Sequence, residues 1–161
     1  TLSAGTEPEQ VQELGRLGAA WRHLEQAGGV PIDVLGECRA KYRDSARELA
    51  FVLHKQAQRL RQLPTFELAA AAYRDLLGAF AGETLPAEVA FFYAECLWQI
   101  AALAPADASH WRTAAEQYTR VVHLDPKGSY VKEAAYAAVL AWQNAVYEDD
   151  ADLHQRPRPG A

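Results

Sequence analysis

The sequence has no methionine, only two cysteines, no surplus of basic charge and no long apolar or β-branched run. Each absence removes a class of protein. The densest apolar pieces, 89–94 and 134–142, fall well short of the ~20 residues that a membrane-spanning helix needs, so direct membrane insertion is not expected. Acids and bases are interspersed at a net charge of −5, leaving no basic stripe to neutralise phosphates. That argues against nucleic acid and anionic membrane as partners. His23, His54, His110, His123 and His154 never pair at the four-residue spacing of a helical metal site. A phosphate-cradling glycine loop and a nucleophile elbow are missing as well. The expectation is a non-enzyme with no cofactor and no metal.

Cys38 and Cys96 lie far apart, without a Cys-x-x-Cys spacing. Two readings stand: buried free thiols behaving as small hydrophobes, or a single disulfide in an oxidising compartment. The opening residues Thr1-Leu2-Ser3-Ala4-Gly5 carry neither an initiator methionine nor a basic and apolar secretion signal, as expected of a piece excised or processed from a longer protein.

What is present favours helices. Half of the 161 residues are hydrophobic, and alanine dominates them beside Leu, Glu, Gln and Arg, the strong helix formers. The fold class is all-α, and the length fits one domain. An internal echo then specifies the architecture. Ala69, Ala70, Tyr73, Leu76 and Leu77 recur 45 positions on as Ala114, Ala115, Tyr118, Val121 and Val122; Glu88, Ala90 and Phe91 recur as Glu133, Ala135 and Tyr136. Self-similarity at such a period marks a solenoid, in which each helix pair buries its apolar face against its neighbours.

Apolar periodicity predicts six or seven helices. The first covers 9–26 and is ended by Gly28-Gly29; Asp33 is expected to cap the second, read as one long helix reaching Leu63-Pro64, with a break near Asp44-Ser45 as the alternative because Ser45 and Glu48 have capping-box spacing. Thr65 is expected to cap a third that runs to about Phe80, with Gly82 beyond its end. Pro86 opens a fourth that ends near Ala104-Pro105, and Asp107 or Ser109 a fifth that closes at Asp125-Pro126. Ser129 begins the last, to about Tyr147. The stretch 148–161 is acidic and then rich in proline and arginine. It reads as a flexible tail.

The run Ala114-x-x-x-Tyr118-x-x-Val121-x-x-x-x-Pro126 resembles the second helix of a tetratricopeptide repeat, in which a small residue lets two helices approach and an aromatic fills the gap. Phe91 to Trp98 is similar to a first helix, with Phe91, Ala94 and Trp98 at packing positions. Tyr118 to Pro126 followed by Tyr130 to Tyr136 resembles tetratricopeptide proteins of the Gram-negative cell envelope. The resemblance covers about 46–147 and implies an α-solenoid of antiparallel helix pairs, with residues 1–45 as a cap or divergent repeat. It places Ala69, Tyr73, Leu76, Phe91, Ala94, Trp98, Ala114, Tyr118, Val121, Pro126 and Tyr136 at repeat-packing positions. It also places Val89, Phe92, Cys96, Gln99, Ala137 and Ala141 along a partner-binding groove, with Phe92 as anchor.

The function implied is a non-catalytic scaffold that binds a protein or peptide in an envelope-associated, periplasmic or else cytoplasmic, assembly. The alternative is a structural spacer or self-association module, a homo-oligomer included. Glu88, Glu95 and Glu133 are read as polar contacts within the helix stack rather than as paired catalytic carboxylates, and His123 as a helix-end residue.

Overall fold

The computed structural model describes residues 6–81, 85–104 and 108–155; these form six α-helices and contain no strand. The chain divides into two compact units, Thr1–Leu85 and Pro86–Ala161.

In the first unit, α1 (Glu7–Ala27) starts from a capping box that the periodicity alone did not reveal. The Glu9 carboxylate accepts the Thr6 backbone N–H at 2.8 Å, and this hydrogen bond holds the carboxyl below its ordinary range. Two consecutive glycines with positive φ, Gly28 at 71° and Gly29 at 85°, end the helix. In α2 (Ile32–Leu60) Pro31 holds the N-cap position, and Asp33 lies inside the first turn, where its charge complements the helix dipole instead of capping. The helix is continuous through Ser45 and Glu48, so that spacing marks no start. It stops at Arg61, whose left-handed backbone (φ 53°) lets its N–H bond the Ala57 carbonyl at 2.7 Å. In α3 (Leu63–Ala79) Gln62 holds the N-cap position, ahead of Thr65. Pro64 sits in the first turn, where a missing N–H costs nothing, and the Thr65 hydroxyl donates to the Gln62 carbonyl at 2.7 Å.

Contacts fix the pairing of these helices. Tyr42 of α2 meets Phe80 just past α3, whereas Phe51 and His54 further along α2 meet Tyr73 earlier in α3, so the two run antiparallel. The rings of Trp21, Tyr42 and Phe80 stack on one another with centroids 5.8 to 6.5 Å apart. The Arg39 guanidinium lies 5.4 Å from the Trp21 centroid. Gly18 of α1 makes this cluster fit: a Cβ there would come within 2.6 Å of the Tyr42 ring.

The second unit contains α4 (Ala87–Leu103), α5 (Ala108–Leu124) and α6 (Val131–Gln155). Pro86 holds the N-cap of α4. Ser109 lies inside α5 and does not open it, and the Asp107 and Gly82 readings fall outside the described residues. The middle helix, α5, has a partner on each side. Tyr118 and Trp111 reach Phe91 and Trp98 of α4, and Tyr118 and Val121 share a buried cluster with Ala134 and Ala138 of α6. Trp111, Ala114 and Ala115 cluster with Ala141 and Ala145, so contacts late in α6 match contacts early in α5 and the pair is antiparallel. Four alanines line the buried side of α6, at 134, 138, 141 and 145. Side chains this small let the helix axes approach closely. The last helix continues past Tyr147 to Gln155, and residues 156–161 lie outside the described set.

Two glycines of α1, three residues apart, give opposite expectations. Gly18→Val should lower stability by about 1–3 kcal/mol through overpacking against Tyr42. Gly15→Ala, with no atom within 4 Å of the new Cβ, should raise it by roughly 0.5–1 kcal/mol through helix propensity. Urea melts of the two variants check both signs.

Candidate functional site

Each unit is built around a buried tyrosine whose hydroxyl needs a partner. Tyr73, in the first unit, has its oxygen 3.3 Å from Nδ1 of His54, which burial holds below the ordinary imidazole range and so keeps neutral. One hydrogen bond is shared between the hydroxyl and that nitrogen. A folded pKa lowered in this way contributes stability above the unfolded imidazole pKa and loses it as the pH falls through the folded value.

In the second unit Tyr118 donates to Glu95 Oε1 at 2.8 Å. Desolvation raises the Glu95 carboxyl above the usual carboxylate range; the Tyr118 hydrogen bond pulls it down, and the charge of Glu133 pushes it up. The Tyr118 hydroxyl is itself held far above its ordinary range, first by burial and then by Glu95. Beside them, Gln117 donates to the Ala90 carbonyl at 3.5 Å, and burial drives the Cys96 thiol well above its usual pKa. A thiol so placed is inert. Cys38 is exposed, and both cysteines are free. Among the described residues no three His, Cys, Asp or Glu side chains are arranged to hold a metal ion.

The residues expected at packing positions divide by register. Ala69, Tyr73, Leu76, Phe91, Ala94, Ala114, Tyr118 and Val121 are buried, and Trp98 is half-buried between Trp111 and Tyr118. Pro126 is exposed in the turn after α5. Tyr136 is not a packing residue, being 68% exposed, because it lies two positions from both Ala134 and Ala138 and so faces away from their side of α6. Tyr130, outside the expected set, takes the interior role and stacks on Phe91 at 4.6 Å.

The expected groove does not form one accessible strip. Val89, Cys96 and Ala141 have no exposed surface, so they offer a partner nothing to touch. Phe92 is half-buried with its ring against Phe91 and Tyr130, Ala137 is half-buried, and Gln99 is exposed.

Accessible apolar surface gathers in two other places. Between α1 and the first half of α2 lies a cleft of about 440 Å³ lined by Leu17, Trp21, Leu24, Val34, Leu35 and Cys38, with Glu13 and Lys41 also on its wall. Leu17 is 52% exposed there. Trp21 is buried, and its indole Nε1–H has no hydrogen-bond partner among the described residues. The second place is the outer side of α6, where Tyr136, Val139, Val146 and Tyr147 are exposed. Leu17, Trp21 and Leu24 follow one another at steps of four and three along α1 and so share one helix face. Helical spacing alone does not convey that α2 leaves that face partly uncovered, with Leu17 and Leu24 both exposed. No helix among the described residues is long and apolar enough to cross a membrane. No family model, curated protein or solved structure matches the chain.

The raised Glu95 carboxyl gives a signed expectation. A carboxyl with a folded pKa above its unfolded value contributes stability that is complete below the unfolded pKa and is lost as the pH rises through the folded one. Glu95→Gln, which still accepts from Tyr118, should therefore be more stable than wild type at neutral pH. The gain should shrink towards zero near pH ~4. Thermal melts of the two proteins across that range test it; a gain that grows on acidification would contradict it.

Proposed function

We propose that this chain is a non-catalytic protein-interaction module of tetratricopeptide type that captures an amphipathic helix or peptide. The observation that carries the reading is the α1–α2 cleft, where large aliphatic side chains stand partly exposed around a buried tryptophan. Apolar surface concentrated in a concave site, with few polar groups at its edge, suits the apolar face of a partner helix presenting side chains at positions i, i+3 or i+4, and i+7. Most of the binding energy then comes from a few large side chains seated against Leu17, Trp21 and Leu24. Glu13 and Lys41 supply one charge of each sign on the wall, which fixes the direction in which the partner lies.

The resemblance of 114–136 to envelope tetratricopeptide proteins supports the family assignment and, with it, an envelope-associated assembly as the setting. It does not supply the docking face, since half of the groove positions it implies are inaccessible. The α1–α2 cleft takes that role.

A displayed-peptide library selected on the whole chain is expected to enrich amphipathic helical sequences. Leu17→Asp and Leu24→Asp should each weaken the selected peptides by at least about tenfold, since burying an unpaired charge costs more than ~1.4 kcal/mol. The indole N–H resonance of Trp21, assigned with Trp21→Phe, should shift on binding. Failure to enrich such sequences, or binding indifferent to both substitutions, would remove the support for this reading.

A further inference from the structure

The side of α6 opposite its buried alanines carries a pattern that the cleft does not use. Lys132, Tyr136, Val139, Gln143 and Val146 follow one another at steps of four, three, four and three, and all five are exposed. By helical register the next position of the stripe is 150, an aspartate in the sequence. A four–three alternation is the spacing of a helix-pairing seam. Tyr136, Val139 and Val146 are 68%, 57% and 58% exposed, so among the described residues nothing lies on the apolar middle of the seam.

The stripe is self-complementary when reversed. With a two-fold axis at the level of position 141, Lys132 falls opposite 150, Tyr136 opposite Val146 and Val139 opposite Gln143, and each pairing occurs twice. Pairing in the same direction would instead set lysine beside lysine and aspartate beside aspartate. Shape points the same way. Val139, Trp142, Gln143, Val146 and Tyr147 line a hollow of about 450 Å³, at the level where Tyr136 of a reversed copy would project. The last turns are also acidic, with Glu148, Asp149, Asp150 and Asp152 in the sequence near the C-terminal end of the helix, where its own dipole disfavours negative charge. A reversed neighbour brings its positive N-terminal end to that location.

From these observations we infer that α6 is a homodimerisation helix, pairing antiparallel along the Lys132–Tyr136–Val139–Gln143–Val146 stripe with α6 of a second copy. The interface is isologous, so one surface serves both partners and the assembly closes at two. Tyr136 is the knob and the hollow beside Val146 is its hole. Gln143 faces Val139 of the second copy from the half-open edge of the seam, where its amide can keep its water.

Sedimentation of the intact chain over a wide range of concentration tests the inference. A monomer–dimer equilibrium is expected, with Val139→Asp monomeric and its helix content unchanged by circular dichroism. Lys132→Glu and Asp150→Lys should each weaken the dimer about tenfold, because each reverses two symmetry-related charge pairs. An equimolar mixture of those two variants should form a heterodimer tighter than either forms alone, since the mixture restores both opposite-charge pairings. A chain that stays monomeric throughout would overturn the inference and leave the stripe to another segment or partner. A dimer insensitive to Val139→Asp, or a mixture that associates no better than its components, would overturn it equally.

Discussion

A tyrosine hydroxyl placed between two closely packed helices must find a hydrogen-bond partner, and this constraint organises both units of the chain. Alanines at 69 and 70, and again at 114 and 115, bring the helix carrying the tyrosine close to its neighbour. The ring then occupies the space that larger side chains would otherwise fill, and its oxygen reaches a polar side chain of the preceding helix. An orphaned buried hydroxyl would cost about 1–3 kcal/mol, so the polar partner is as much a part of each helix pair as the ring itself. Phe51 in the first unit and Phe91 in the second pack against the respective tyrosine.

The two units answer that constraint with different chemistry. His54 is held neutral by burial, whereas Glu95 is a carboxylate kept partly out of water beside a second acid, Glu133. The proton linkages consequently have opposite signs. Acidification works against the first unit by charging a buried imidazole, and favours the second by discharging a carboxylate that is costly to desolvate. Identical rings at matching positions therefore do not make the units equivalent in their response to solution conditions.

Much of this was legible in the sequence, for identifiable reasons. The echo at 69–77 and 114–122 predicted the buried Ala, Tyr and Leu or Val positions because burial imposes the same period on both copies. Gly28-Gly29 and Pro86 marked helix ends because their backbone restrictions are local. What was not legible depends on three-dimensional context. Thr65 and Asp33 have cap chemistry, but a proline nearby sets each start, and both become first-turn residues. Arg61 ends α2 in a conformation that its side chain does not advertise. The acids after Tyr147 seemed to stop the last helix, yet a dipole penalty of a few tenths of a kcal/mol each is too small to end a segment that also contains Ala151 and Leu153. Tyr136 matched Phe91 in the echo but faces outward, because α6 presents alanines to α5 on a register two residues away. The groove positions carried over from the repeat resemblance failed for Val89, Cys96 and Ala141 because motif positions do not state which faces stay uncovered.

Tyrosine-centred helix pairs form the buried core of each unit, and partly exposed aliphatic side chains line the cleft between α1 and the first half of α2. The central proposal is that this cleft receives the apolar face of a partner helix. Hydrogen–deuterium exchange of the chain with and without a saturating amphipathic helical peptide tests that central claim most directly. Slowed exchange in α1 and the first half of α2, with α4 to α6 unchanged, is the predicted result; protection confined to α4 to α6, or none anywhere, would contradict it.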